Sequence, residues 1–203
     1  MISTFTALVD ANVFYSARLR SLILFQAQAG GFRARWTRKI NEEWLENLLL
    51  NRPDLDRQKL SRTREAMNAA VLDCIVCGYC GLIEGLTLPD RDDRHVLAAA
   101  IVAHANVIVT FNVKHFPNQT LSEYGIHAKH PDEFLLDLAS VSQDEFIKSA
   151  KKDFYHYKRP RIEFSHYIDS LQRSGIPKTA EHLEKFKVLF DIEQDSKSHD
   201  PLR

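Results

Sequence analysis

The chain has 203 residues, 44% hydrophobic and 27% charged, a texture that fits a folded globular protein and excludes a disordered one. Lys plus Arg number 27 and Asp plus Glu number 27, so the formal net charge is zero, and any binding of nucleic acid has to come from local basic patches. No apolar run approaches the roughly 18 residues of a membrane span, the N-terminal stretch lacks the pattern of a secretory signal, and three closely spaced cysteines do not make a disulfide framework, so a reducing cytoplasm is the expected home.

Phe5 to Val9 is a short apolar run ending at Asp10, which reads as a buried strand of a parallel sheet. Val13 to Ala29 has helical spacing, stopped by Gly30-Gly31. Arg33 to Thr37 suits a second strand, and Asn41 to Leu50 a helix closed by Pro53. Asp56 to Leu72 predicts a further helix, while Cys74 to Leu88 is Gly-punctuated and reads as strand or loop. Arg91 to His104 carries a helix core face, and Val107 to Thr110 is a compact β-branched strand. Ile126 to Lys129 suits a last strand, and Pro131 to Leu138 a helix with Pro in its first turn. After Ser140 no strand-like run remains; Ser142 to Tyr157, Ile162 to Arg173 and Thr179 to Phe190 predict three helices. The expected architecture is α/β, a small parallel sheet flanked by helices over residues 1–139, followed by an all-α extension over 140–203.

Sites in open α/β sheets gather at the carboxyl ends of the strands. Asp10 ends the first strand, Asn112 lies just past the Val107–Thr110 strand, Asp90 to Asp93 open a helix, and Glu43 stands near the start of another. If the two strands are neighbours, these groups converge. Carboxylates forced together repel unless a cation joins them, which makes a Mg²⁺ or Mn²⁺ site the chemical reason for such a cluster. Each residue also has a structural reading: Asp90 suits a helix N-cap, and Glu42 and Glu43 suit a helix N-terminus.

The segments Leu8–Phe14, Asn41–Trp44, Leu88–Ala100 and Ile108–Pro117 together resemble the PIN-domain family. The resemblance spans roughly residues 5 to 138 and implies a three-layer PIN-like fold and a metal-dependent ribonuclease using Mg²⁺ or Mn²⁺. Many such proteins are VapC-type toxins of toxin–antitoxin pairs, so the implied partners are RNA (tRNA as the family-level substrate), a cognate, DNA-binding antitoxin and a second copy of the chain. The resemblance gives Asp10 and Asp93 as principal metal carboxylates, Asp90 as a further acid beside them, and Glu43 and Asn112 as catalytic companions. Thr110, Asn12 and His115 become candidate substrate contacts. His115 departs from the pattern, since an Asp stands before the Phe in many relatives. Imidazole is a poor Mg²⁺ ligand, so a catalytically weak or inactive RNA- or protein-binding module stays open as the alternative.

The helical region after Ser140 resembles the extension of some longer PIN-type toxins. Its Lys151-Lys152 and Lys158 to Arg161 clusters, interleaved with aromatics, read either as an RNA grip or as a solvated helix face. Arg33, Arg35 and Arg38, close before Glu43, read as a phosphate track or as decoration of an exposed strand. Cys74, Cys77 and Cys80 have iron–sulfur-like spacing but no fourth cysteine, which favours small hydrophobes over ligands.

Overall fold

A computed structural model describes residues 5–156 and 162–190. Four strands form one parallel sheet in the order β2-β1-β3-β4, with β1 at Thr6–Val9, β2 at Arg33–Arg35, β3 at Val107–Val109 and β4 at His127–Lys129. β1 is central: Leu8 is in register with Arg35 on one side and with Ile108 on the other. All four residues of β1 and all three of β3 are buried, as parallel strands covered on both faces must be. Asp10 and Thr110 therefore leave the sheet side by side, with the Asp10 amide donating to the Val109 carbonyl at 3.0 Å.

The helices that flank the sheet are α1 (Ala11–Tyr15), α2 (Ala17–Gln28), α3 (Arg38–Asn51), α4 (Arg57–Ala70), α5 (Arg94–Val102) and α7 (Pro131–Val141), with the short α6 at Asn118–Leu121. The single helix expected over Val13 to Ala29 is two helices. Ser16 is extended (φ −74°, ψ 120°), ends α1 and caps α2 by accepting from the Leu19 amide. The helix expected from Arg91 starts later, at Arg94, because Asp90 Oδ1 accepts from the Asp92 amide at 2.9 Å and turns the chain before the helix begins. That helix ends at Val102, and His104 adopts the left-handed conformation (φ 49°) that often follows a helix. The second strand is shorter than expected; Trp36 instead bridges to Ile75, and Thr37 caps α3. The Cys74 to Leu88 stretch holds that bridge and a 3-10 helix at Cys80–Gly85.

The C-terminal region is helical, as expected: α8 (Gln143–His156), α9 (Phe164–Arg173) and α10 (Pro177–Glu184), with Pro177 in the first turn. The Lys158 to Arg161 cluster lies outside the described residues. α8 packs on α2 and α7, and α10 packs on α9 and α7. One buried apolar cluster runs from Ala7 through Trp36, Trp44 and Phe134 to Phe154, Tyr167 and Phe190, so the sheet and the C-terminal helices share a core. Two buried acids tie the halves. Asp132, in the first turn of α7, accepts from the Lys178 and Thr179 amides at 2.9 and 2.7 Å and so caps α10. Asp153 accepts from Ser21 Oγ and from Tyr167 Oη, and burial pushes its carboxyl up. Among the described residues no helix is long and apolar enough to cross a membrane.

Candidate active site

Asp10 sits at the carboxyl edge of the sheet with both oxygens engaged. Oδ1 accepts from the Ala11 amide at 2.7 Å, and Oδ2 accepts from Asn12 Nδ2 and Thr110 Oγ1, each at 2.7 Å. Thr110 is the hub of this group. Its hydroxyl oxygen also accepts from Asn12 Nδ2 at 2.9 Å and from the Asn112 amide at 3.0 Å, while Asn12 Oδ1 accepts from the Phe111 amide at 3.1 Å. The two strand ends are thereby stitched together by side chains. Asp10 is only 4% exposed, and its carboxyl is pushed up to about 6. Burial is the main cause, the hydrogen bonds from Thr110 and Ala11 oppose it, and the nearby Asp93 and Glu43 charges add to it.

Asp93 stands at the N-terminus of α5. Its carboxyl is also raised by burial, against a hydrogen bond from His115. His115 Nδ1 lies 2.7 Å from Asp93 Oδ2 and 3.6 Å from Asp90 Oδ2. An ionised carboxylate only accepts, so the imidazole proton facing Asp93 is on Nδ1. One ligand atom from each of Asp90, Asp93 and His115 lies within 4.8 Å of the others. This is the sole group of three or more such residues, among those described, close enough to share an ion. Glu43, on α3, is held from the other side: His95 Nε2 lies 3.0 Å from Glu43 Oε1, and Lys39 Nζ 3.7 Å. His95 is 3% exposed, and its Nδ1 has no hydrogen-bond partner among the described residues.

An open cleft of about 620 Å³ brings these groups together. Asp10, Asn12, Glu43, Asp93, His95 and Asn112 line it, with Trp44 and Phe111 as apolar walls. Asp90 and His115 are set back from that lining and meet the cleft through Asp93. The arginines are elsewhere. Arg33 and Arg35 border a separate groove with Ala27 and Asp73, and Arg38 borders another with Glu42 and Arg64, so none of the three lines the carboxylate cleft. Cys74 is buried while Cys77 and Cys80 are exposed, and all three are free thiols.

A family model described as "PIN domain" matches residues 6–114, more than half of the chain and all of the carboxylates above. The chain belongs to the PIN-domain family. A second model, described as "VapC50 C-terminal domain", matches residues 131–185, the helices that follow the last strand. A protein of Mycobacterium tuberculosis (strain ATCC 25618 / H37Rv) named "Putative ribonuclease VapC50" is 55% identical over 67 residues, which cover 33% of this chain and 39% of that relative. The similarity thus spans well under half of the relative's length. No solved structure matches the chain.

His95 stands close after Asp93 in the sequence, a place that allows it to point at the site although a helix-surface histidine is the commoner case; α5 is buried almost all round and directs it at Glu43. Two further residues of this PIN cleft escape a motif-based reading. Arg173 and Ser174, at the end of α9, also line the cleft. Nothing local in the sequence marks them, because they reach the site through the packing of the C-terminal helices.

Proposed function

We propose that this PIN-domain protein is a metal-dependent endoribonuclease, the toxin of a type II toxin–antitoxin pair acting in the cytoplasm on tRNA or another structured RNA. The observation that carries it is the cleft itself: Asp10, Glu43 and Asp93 face one opening at the carboxyl edge of the sheet, and two of the three are buried enough to have raised carboxyls. Such crowding is unfavourable without a cation, and an all-oxygen donor set suits Mg²⁺ or Mn²⁺. Asp10 and Asp93 would hold the ion, with Glu43 beside them and Asp90 and His115 supporting Asp93. His115, with its Nδ1 proton on Asp93, orients that carboxylate and leaves the donor set to oxygens. A bound ion supplies a nucleophilic water near neutral pH and offsets charge on the leaving oxygen.

The chain's own residues do the positioning. Thr110 and Asn12 fix Asp10, His95 fixes Glu43, and His115 fixes Asp93. Asn112, at the rim, contacts the strand. In-line attack of water on phosphorus leaves a 5′-phosphate and a 3′-hydroxyl. Residues 1–139 serve as the nuclease domain and 140–203 as its helical extension. A DNA-binding antitoxin and a second copy of the chain are the expected protein partners.

The test is an RNA digest with Mg²⁺, Mn²⁺ or EDTA, comparing the wild type with Asp10→Asn. Metal-dependent cleavage that the substitution abolishes is expected. Cleavage that survives Asp10→Asn sinks the assignment. Absence of cleavage with every metal, alongside retained RNA binding, replaces it with the binding-module reading.

A further inference from the structure

We infer that the C-terminal helices complete the substrate site, and that Arg173 binds a phosphate of the RNA strand lying in the acidic cleft; this rests on the nuclease reading above. The cleft presents Asp10, Glu43, Asp92 and Asp93, and Arg173 is the one Lys or Arg that lines it among the described residues. A polyanion entering four carboxylates meets repulsion on that wall. The metal relieves part of it, and a guanidinium on the facing wall relieves more. Arg173 also has no ion-pair partner among the described residues and is exposed, so its five donors are available. A planar guanidinium matches two phosphate oxygens at once, which an ammonium does not.

The placement of Arg173 is fixed by contacts to the site rather than by a loose tail. Ser174 Oγ donates to the Ser170 carbonyl at 2.7 Å and accepts from Ser16 Oγ at 2.7 Å. Ser16 is the residue that ends α1, the helix capped by Asp10. On the next residue, Gly175 is left-handed (φ 83°), and a Cβ there would lie 2.8 Å from Phe111 Cε1. Phe111 stands between Thr110 and Asn112 and packs edge-on against His130, with centroids 4.9 Å apart. The α9–α10 turn is thus seated on the end of α1, the helix that Asp10 caps, and on Phe111 just past β3, and Asp132 pins the helix that follows it. A bare helix-terminal arginine, present only to complement the helix dipole, would need none of this seating.

The experiment measures binding of a fluorescein-labelled RNA hairpin by anisotropy across a KCl series. The full chain carries Asp10→Asn, so no RNA is cut. Adding Arg173→Ala is expected to weaken affinity about tenfold, the equivalent of one charge-assisted hydrogen-bonding contact. It should also lower the dependence of log affinity on log salt by about one phosphate contact, equally for two RNA sequences. Arg173→Lys should restore the salt dependence but only part of the affinity. Gly175→Ala keeps the charge but unseats the turn from Phe111, and is expected to weaken binding and to lower the salt dependence in the same direction as Arg173→Ala. Urea unfolding midpoints equal to the parent's exclude a folding defect for the exposed Arg173. Unchanged affinity and unchanged salt dependence in Arg173→Ala overturn the inference and leave the nuclease reading intact. If the wild type cuts no RNA with any metal, the nuclease reading falls, and an Arg173-dependent salt response still supports phosphate binding in the cleft.

Discussion

Asp10 should make this protein less stable at neutral pH than in mild acid, and replacing it should remove that penalty. Its carboxyl rises from the ordinary 3.8 to about 6 in the folded chain, mainly through burial. A raised value means that the folded state holds the proton more tightly than the unfolded state. Below 3.8 both states are protonated and nothing is lost. Between 3.8 and about 6 the unfolded chain releases its proton first, so stability falls as pH rises, and above about 6 the full cost is present. That interval corresponds to about 3 kcal/mol. Asp10→Asn keeps the shape and has no charge to lose. Its Nδ2 or Oδ1 has to face Asn12 Nδ2 or the Ala11 amide imperfectly, but that cost does not depend on pH and cancels in the comparison.

Urea unfolding in EDTA, followed by the fluorescence of the buried Trp36 and Trp44, reads the difference directly. The gap between Asp10→Asn and wild type should grow in favour of the variant by about 3 kcal/mol from about pH 3 to about pH 7. Saturating Mg²⁺ at about a hundred times its Kd should then add about 2.7 kcal/mol to the wild type at neutral pH, and little to the variant. Curves that run parallel across this range would refute the argument that Asp10 is held in a cation-demanding environment.

Two further outcomes follow from buried partners. His95→Phe keeps the volume but removes the proton donor to Glu43, and is expected to lower metal affinity and cleavage about 10- to 100-fold, measured by calorimetric titration of Mn²⁺ and by initial rates; an unchanged titration would show that Glu43 needs no orienting group. Asp132→Ala leaves the Lys178 and Thr179 amides uncapped and should cost about 2 to 4 kcal/mol in urea unfolding, a loss that an equivalent change at the exposed Asp54 would not produce.

The convergence of Asp10, Asn12, Asp93, Thr110 and Asn112 on one edge was legible because each stands at a strand end or a helix start, while Glu43 joins them from the second turn of α3. In a parallel sheet those positions share one side. The sheet needed only short β-branched runs, and Val107–Val109 and Thr6–Val9 are such runs. What was not legible depends on distant contacts. Nothing near Ser16 breaks a helix, and the break is stabilised by a hydroxyl 158 residues away. Arg33 and Arg35 sit close to Glu43 in the chain, yet an edge strand turns them toward a groove of their own. Asp90 has the spacing of an N-cap but closes a turn just ahead of the helix instead. His115 looked like a departure that weakens the site; the structure shows it bound to Asp93. Arg173 comes after every recognisable motif, so only the folded chain brings it to the cleft.

The hydroxyl pair of Ser16 and Ser174 has a consequence for how the protein is made. A ribosome releases residues in order, so the first wall of the cleft is synthesised long before the last. The parallel pairing of β1 with β3 already spans about 100 residues, and the serine pair extends that to 158. Closing loops of this size is slow relative to local helix formation. A nascent chain therefore carries Asp10, Glu43 and Asp93 without a finished groove around them until the α9–α10 turn emerges and seats. On the proposed reading, the ability to hold a strand would arrive only once the α9–α10 turn has been made and seated, rather than growing as β1 to β4 emerge.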